Sequence, residues 1–228
     1  MNYLVIDLSI VIFTGLSLSF DDAREILDAE YLPPVKRGDI DELLESRNDI
    51  EVIGIIDGVF HQSPAVAHKE ILEALKRGIT VVGGSSMGAL RACELYPFGM
   101  IGIGRIFEDY KNGIIVDDDD VAVALDPESL EQLSEPWINM KYNFEFAVED
   151  GVISRDEYNE LLKIAKETYY PKRSFNYVIR KSSLSPESIT LLTNYIKNKK
   201  YDIKNRDARA VVEYIKDLVK DSDTTENR

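Results

Sequence analysis

The sequence has few of the residues that form disulfides or bind structural metals in small proteins. Its 228 residues include one cysteine, two histidines and one tryptophan. A single cysteine excludes an internal disulfide, and a structural zinc site with four Cys or His ligands would need more of them than the chain has. A Ser-His-Asp hydrolase would have to use one of only two histidines. No such cross-link is required, since a chain of this length buries about 70 % of its unfolded surface.

Basic residues and long apolar runs are also scarce. The 27 Lys and Arg residues are outnumbered by 41 Asp and Glu residues, for a net charge of −14, which disfavours broad binding to nucleic acid or anionic membranes. No run reaches the roughly 18 to 20 apolar residues of a membrane span. The apolar N-terminus lacks a basic n-region and is interrupted by Asp7, so we interpret it as a buried strand region rather than a signal peptide. These features predict a soluble, cytoplasmic protein without nucleic-acid or membrane partners.

The first half of the chain alternates between strand-like and helical segments. Strand-like runs lie at residues 10–14, 51–58 and 79–82. Helical segments follow at 21–30, at 39–44, at 63–77 and from the turn at 83–88 to about residue 96. This order predicts an α/β fold in which a parallel, Rossmann-like sheet carries helices on both faces.

The second half is predicted to be mainly helical. Residues 112–140 hold eight acids and no Lys or Arg, which indicates a connection, with a short strand at 121–125. Beyond it, Ser185-Pro186 opens a helix, and a later stripe has the spacing i, i+3, i+4, i+7. That stripe consists of Ala208, Val211, Val212, Ile215, Leu218 and Val219. We therefore divide the chain into an α/β core at 1–125, a helical region packed on it at 126–222, and a disordered tail at 223–228.

The segment Gly84-Ser85-Ser86-Met87-Gly88 matches the pattern G-x-S-x-G. It follows a short apolar strand and begins a helix, which is where a nucleophilic serine can be held on a strained turn. The N–H groups of the first helical turn, from Ser86 to Gly88, could hold a developing oxyanion. Ser86 is the candidate nucleophile. The alternative is that Ser85 or Ser86 only caps the helix, and the pattern leaves open which serine would react.

Four side chains are candidates for the base that would activate this serine: Asp57, His61, His68 and Lys69. Asp57 ends the clearest strand, where open α/β sheets place ligand-binding groups. A lysine acts as a base only when burial or a positive field lowers its pKa. Helical periodicity directs Lys69 away from the buried face and predicts a surface lysine. The pattern alone does not decide among the four.

Three further features have simpler interpretations. The run Asp117–Asp120 lacks the spacing of a calcium loop and indicates a solvated or partner-facing loop rather than a metal site. Cys93 lies on an apolar stripe and is predicted to be a buried, inert thiol rather than a persulfide carrier. The glycines of 99–104 do not follow a strand in the position that a nucleotide loop needs. We therefore predict no metal and no cofactor.

Several sequence blocks, taken together, resemble those of a known family. The blocks are VIGIIDGVF at 52–60, HKEIL at 68–72, GSSMGALRA at 84–92, FGM at 98–100 and GIGRIF at 102–107, supported by EYLPP at 30–34, RGD at 37–39 and DDDDVA at 117–122. Over about residues 10–125 they are similar to TfuA-like proteins. Such proteins act beside ATP-dependent YcaO-family enzymes, which replace a peptide-bond oxygen with sulfur. They are implicated in releasing sulfide from the C-terminal thiocarboxylate of a ThiS-like sulfur carrier with a ubiquitin fold.

The resemblance implies a Ser-Lys hydrolytic pair, with Ser86 as nucleophile and Lys69 as base. It therefore overrides the interpretation of Lys69 as a surface lysine, which rested on helical periodicity. The chemistry of such a pair makes Asp57 or His61 candidates to position Lys69, and Arg91, one helical turn along, a candidate to meet the anionic substrate. The narrow tail of the carrier would need a groove. Three glycines could line that groove, namely Gly58, Gly83 and Gly84.

The resulting hypothesis is an accessory hydrolase of peptide thioamidation that also assists the YcaO enzyme in substrate binding. Its partners would be that enzyme, the ThiS-like carrier and the peptide or protein that becomes thioamidated. One rival is a non-catalytic adaptor that docks the YcaO enzyme, the peptide or the carrier. A second rival is a general Ser-Lys hydrolase of small molecules.

Overall fold

A five-stranded parallel sheet organises the first part of the protein. The computed structural model describes residues 9–59, 64–125 and 132–225. The strands are β1 (Ser9–Phe13), β2 (Glu30–Leu32), β3 (Ile50–Ile55), β4 (Thr80–Gly84) and β5 (Ile101–Ile103). They lie in the order β2-β1-β3-β4-β5, and every neighbouring pair is parallel. The direction of winding reverses between β1 and β3, and in such sheets ligands bind beyond the carboxyl ends of the strands near this point.

Helices connect the strands and form the rest of the chain. They are α1 (Phe20–Arg24), α2 (Asp39–Ser46), α3 (His68–Lys76), α4 (Met87–Leu95), α5 (Arg105–Lys111), α6 (Trp137–Glu149), α7 (Arg155–Glu167), α8 (Phe175–Lys181), α9 (Pro186–Lys199) and α10 (Ile203–Thr225). Short 3₁₀ turns lie at Tyr96–Phe98, Asp118–Asp120 and Tyr170–Lys172. The predicted α/β class and the mainly helical second half are confirmed. Within the described ranges, no helix is both long and apolar enough to cross a membrane.

The contacts divide the chain into two units. The first unit runs to Ile115 and takes up the chain again from Lys204, while the second spans Val116–Ile203. This differs from the sequence-based division at residue 125, because α10 packs on the sheet of the first unit. The predicted stripe of α10 is fully buried from Ala208 to Ile215 and meets Ile10 and Ile12 of β1.

The close approach of α10 to the sheet depends on glycine. A side chain on Gly54 of β3 would come within 2.9 Å of Ile215, and one on Gly84 of β4 within 2.5 Å of Val211. The opposite side of the first unit is a layer in which α2, α3, α4 and α5 pack in succession, with α3 and α4 against the sheet. Helices thus cover the sheet on both faces.

Several predicted boundaries are wrong for reasons that lie in tertiary contacts. β2 and β5 were not predicted, and α1 ends at Arg24 rather than continuing to residue 30. Residues 64–67 are not helical: Pro64 and Val66 offer their carbonyls to Arg37 and Arg91, and α3 begins only at His68. In place of a strand at 121–125 there is a single bridge, between Leu125 and Gln132.

Two other sequence-based expectations concern the ends of the chain. Helix α10 continues to Thr225, so residues 223–225 of the expected disordered tail are helical. Residues 226–228 and the apolar N-terminal residues 1–8 lie outside the described ranges.

Two basic residues of the second unit form ion pairs with the acidic run. Arg173 is fully buried and donates to the carboxylate of Asp119 at 3.0 Å as well as to three backbone carbonyls. Lys166 pairs with Asp117 at 2.9 Å and with the buried Asp120. The carboxylates of Asp117, Asp119 and Asp120 lie within 4.8 Å of one another. Three of the four carboxylates therefore form ion pairs within this unit, while Asp117 and Asp118 stay exposed, as expected for a solvated or partner-facing loop.

Candidate active site

Ser86 lies between β4 and α4, in the strand-turn-helix setting that its motif requires. β4 ends at Gly84, and Ser86 is the residue immediately before α4. The turn is tight because the Ser86 N–H donates to the Gly84 carbonyl at 2.9 Å. Ser85 has a φ of +67°, the one positive φ of a non-glycine residue in the described chain. Such strain persists only where the surroundings hold it, and it is concentrated at functional sites.

The two serines of the motif have different surroundings. Ser85 is fully buried, and its Oγ donates to the backbone carbonyl of Lys204 at 2.8 Å. Ser86 is 2 % exposed, and its Oγ forms no hydrogen bond with any described residue. Ser85 Oγ is thus used within the fold, whereas the Ser86 hydroxyl is left without a hydrogen bond in the described chain. Ser86 does not cap α4 by a side-chain hydrogen bond, and its role as the reactive serine stays a prediction.

The predicted oxyanion donors reduce to one. The Ser86 N–H is used within the turn, and the Gly88 N–H donates to the Ile56 carbonyl at 3.2 Å. The Met87 N–H makes no hydrogen bond among the described residues. It is the first N–H of α4, at the positive end of the helix dipole. Among the three predicted donors, the Met87 N–H is thus the one left without a hydrogen bond in the described chain, and its use by an oxyanion stays a prediction.

The three glycines predicted to line a groove are needed for packing. The place of a side chain on Gly58 is taken by Met87, whose Cγ would lie 2.6 Å from an added Cβ. At Gly83 it is taken by the Gly88 carbonyl, at 2.4 Å, and at Gly84 by the Ile103 carbonyl and Val211. The glycines bring β3, β4, α4 and α10 together around the serine turn. A groove for a substrate tail along them stays a prediction.

Asp57 lies two residues beyond the end of β3 and holds the loop that follows β1. Its Oδ2 accepts hydrogen bonds from the N–H groups of Gly15, Leu16 and Ser17 at 3.1, 2.9 and 2.7 Å, and its Oδ1 accepts from Ser17 Oγ at 2.6 Å. The carboxylate is 1 % exposed. Asp57 thus joins the loop after β3 to the loop after β1 at the carboxyl edge of the sheet. All four of these hydrogen bonds go to residues 15–17 of the loop after β1 rather than to Lys69.

Lys69 forms no hydrogen bond with Ser86 in the described chain. It is the second residue of α3, is exposed, and makes no hydrogen bond or ion pair with the described residues. Its neighbour His68 contacts Glu94 through Nε2 at 2.8 Å. Whether Lys69 serves as the base stays a prediction. His61 lies outside the described residues, so its predicted role does too.

Arg91 belongs to the same surface cluster as His68. Its Nη1 pairs with Glu94 at 2.7 Å, and its Nε donates to the Val66 carbonyl at 3.1 Å. The guanidinium therefore joins α4 to the segment before α3 and helps to place the first turn of α3. Binding of an anionic substrate by Arg91 stays a prediction. Cys93, in the same helix, is partly buried, and burial raises the pKa of its thiol, which disfavours a reactive thiolate.

Sequence reasoning missed the first turn of α10, which lies at the same edge of the sheet. Lys204 holds Ser85, Asn205 donates to the Ser17 carbonyl at 2.8 Å, and Asp207 accepts from the Ile106 N–H at 2.7 Å. Lys204 and Asp207 are 4 % and 3 % exposed. A signal was present, because positions 204 and 207 continue the i, i+3, i+4 spacing of the apolar stripe. Two charged residues on the buried face of an amphipathic helix call for specific partners.

Asp207 predicts a pH dependence of stability. Burial raises the pKa of its carboxyl from 3.8 to about 6, although the N–H groups of Ile106 and Arg105 and the charge of Arg206 lower it, and Asp109 raises it further. The folded protein binds this proton more tightly than the unfolded chain does. Protonation of Asp207 therefore stabilises the fold, and this contribution to the free energy of unfolding is complete below pH 4 and is lost as the pH rises through 6. The free energy of unfolding of the wild type, relative to that of Asp207→Asn, should fall by about 2 to 3 kcal/mol between pH 4 and pH 7. Urea unfolding at a series of pH values measures this difference, and a difference that does not vary with pH would contradict it.

The fold and the site define a class: a doubly wound parallel α/β protein with a nearly buried serine between a strand and a helix. A family model described as TfuA-like protein matches residues 57–174. This match covers more than half of the chain, which therefore belongs to the TfuA-like family. It includes Asp57, Lys69, Ser86 and Arg91 but not α10. A search of the curated proteins finds no match.

Proposed function

We propose that this protein hydrolyses the C-terminal thiocarboxylate of a ThiS-like, ubiquitin-fold sulfur carrier and so supplies sulfide to a YcaO-family enzyme of peptide thioamidation. The observation that carries the proposal is the Ser86 hydroxyl, which is nearly buried and without a hydrogen bond among the described residues, beside the unbonded Met87 N–H. Membership of the TfuA-like family supports the thioamidation context. Assistance to the YcaO enzyme in substrate binding is part of the same proposal.

The reaction is an acyl transfer in two steps. Ser86 Oγ attacks the thiocarboxylate carbon, a C–O bond forms, and the hydroxyl proton passes to Lys69 Nζ. The Met87 N–H donates to the developing oxyanion. The C–S bond then breaks, and sulfide leaves as hydrosulfide with the proton from Lys69. Water attacks the resulting ester with Lys69 again accepting a proton, so that the carrier leaves as a carboxylate and Ser86 is restored.

The exposure of Lys69 leaves a role for the carrier itself. Lys69 forms no hydrogen bond with Ser86 in the described chain. A carrier docked over the site would cover Lys69, exclude water and hold its amine beside the Ser86 hydroxyl. In this mechanism the protein substrate completes the catalytic pair. Small activated esters, which cannot cover Lys69, are expected to be poor substrates, unlike in a general small-molecule hydrolase.

A non-catalytic adaptor is the second candidate function. The observation that favours it is the lack of a hydrogen bond between Lys69 and Ser86. In that case the protein would dock the YcaO enzyme, the peptide or the carrier without turning the carrier over.

The deciding experiment mixes thiocarboxylated ThiS-like carrier with this protein alone and follows sulfide release and carrier mass. We expect conversion of the thiocarboxylate to a carboxylate, with one sulfide per carrier. Lys69→Ala should slow it by about 10²- to 10⁴-fold, the usual worth of a general base. Lys76→Ala, which changes an exposed lysine at the other end of α3, serves as control and should behave as wild type. No conversion by folded wild type would remove the hydrolase and leave the adaptor.

A further inference from the structure

The first turn of α10 contacts three of the loops that surround the candidate site. We define the α10 anchor as Lys204, Asn205 and Asp207. Through hydrogen bonds of 2.8, 2.8 and 2.7 Å these residues meet Ser85 after β4, Ser17 after β1 and Ile106 at the start of α5. One turn of one helix therefore joins the carboxyl ends of β1, β4 and β5.

Ser86 lies between two independent attachments. On one side, the Gly88 N–H is bonded to the Ile56 carbonyl, which ties the start of α4 to β3. On the other side, Ser85 Oγ is bonded to Lys204, and Val211 of α10 fills the space beside Gly84. Because Ser85 has the left-handed φ of +67°, something must hold it there. The hydrogen bond to Lys204 is the side-chain contact that does so.

Asp207 fixes the position from which Lys204 acts. Its carboxylate is packed so closely on the β5–α5 loop that a Cβ on Gly104, whose φ is +96°, would lie 2.4 Å from Asp207 Cγ. Its oxygens accept from the N–H groups of Ile106 and Arg105. Asn205 adds a tie to the loop that Asp57 holds. The start of α10 is thus held on two sides of the Lys204 carbonyl.

We propose that the α10 anchor is a positioning element for the nucleophile, with Asp207 and Asn205 placing the Lys204 carbonyl so that Ser85 keeps the turn that presents Ser86. The anchor acts through Ser85 and touches neither the substrate nor Ser86. It lies outside the region matched by the family model. The proposal rests on the proposed function for its rate prediction, but its structural prediction is independent of any activity.

The test compares Asp207→Asn and Asn205→Ala with Glu213→Gln. Asparagine at 207 keeps the shape but has one acceptor oxygen instead of two. Glu213→Gln removes the same charge from an exposed position of the same helix. The rate of Ser86 modification by a fluorophosphonate and the kcat and KM for carrier turnover are measured at a temperature where circular dichroism shows all variants folded.

We expect Asp207→Asn to lower the modification rate and kcat at least tenfold, with KM changed less than threefold, and Glu213→Gln to match wild type. Asn205→Ala removes the hydrogen bond to the Ser17 carbonyl and the weaker one accepted from Arg209, and leaves Asp207 in place. Its rates should fall between those of Asp207→Asn and Glu213→Gln, and it remains informative if Asp207→Asn does not fold. Wild-type rates in both anchor variants would overturn the proposal.

Amide hydrogen exchange separates this proposal from the hydrolase itself. The Ser86 and Ala89 N–H groups donate to the carbonyls of Gly84 and Ser86. Their exchange should be at least tenfold faster in Asp207→Asn than in wild type, with no change at Ile12 in β1. If the wild type neither reacts nor turns over carrier, the hydrolase fails, and the exchange rates still decide the anchor. Unchanged exchange at Ser86 and Ala89 would overturn it.

Discussion

Replacing Ser86 with alanine is expected to abolish sulfide release, by a factor of about 10³ or more, while leaving the stability of the protein nearly unchanged. The loss follows from removal of the nucleophile, for which the remaining groups of such a site do not substitute. Stability should hold because the Ser86 hydroxyl forms no hydrogen bond in the described chain and does not cap α4. Carrier mass and released sulfide measure the activity, and urea unfolding measures the stability.

Ser85→Ala is the matched control, since it removes the same atom one residue earlier. It deletes the buried hydrogen bond to Lys204, so it should cost about 1 to 2 kcal/mol of stability. Sulfide release should fall but remain measurable, because the nucleophile is still present. A reversed result, in which Ser85→Ala is inactive and Ser86→Ala is active, would move the nucleophile to Ser85. Full activity in both variants would exclude a serine mechanism.

The strands that could be predicted are those buried on both faces. β1, β3 and β4 are runs of β-branched and apolar residues, which are typical of parallel strands covered by helices. β2 and β5 have three residues each at the two edges of the sheet. Edge strands this short carry no periodic pattern. Composition therefore assigns Glu30 to the end of a helix that Tyr31–Pro34 breaks, and the glycines around β5 give only a weak nucleotide-loop signal.

Local signals failed where distant contacts decide the backbone. Ser63-Pro64 has the composition of a helix start, yet α3 begins at His68. The carbonyls of Pro64 and Val66 are used by Arg37 and Arg91, and the side chain of Glu70 accepts from the Ala67 N–H. Stripes with helical spacing were more reliable, because the face that Ala208 and Ile215 share must be buried wherever the helix packs.

In the candidate site, too, some residues could be predicted from a local sequence pattern, whereas the roles of others depend on distant contacts. Ser86 could be found because its motif is local and its strand-turn-helix setting is encoded within a few residues. The contact of Ser85 with Lys204 joins residues 119 positions apart, and no local pattern encodes it. The Asp57 carboxylate was predicted to serve the chemistry because of its place at a strand end. Its hydrogen bonds to residues 15–17 give it a structural task that only the fold reveals.

Replacing Gly88 with alanine is expected to destabilise the protein by more than about 4 kcal/mol, or to prevent folding. A Cβ at this position would lie 1.8 Å from the Ile55 carbonyl oxygen, which is far inside contact distance. The obstacle is backbone of a central strand, so it cannot turn aside as a side chain would. To admit the methyl group, α4 must move away from β3, which would also break the hydrogen bond from the Gly88 N–H to Ile56.

Gly78→Ala provides the comparison, because Gly78 has a φ of +82° but nothing within 4 Å of the added Cβ. It should cost only the strain of a left-handed alanine, about 1 to 2 kcal/mol. Chemical unfolding followed by circular dichroism measures both variants. Equal losses at the two positions would mean that α4 can shift on the sheet without cost. The start of α4 would then not be held by β3, and the attachment of Gly88 to Ile56 could not fix Ser86. A much larger loss at Gly88 would show that the turn at Ser86 depends on direct contact between the backbones of α4 and β3.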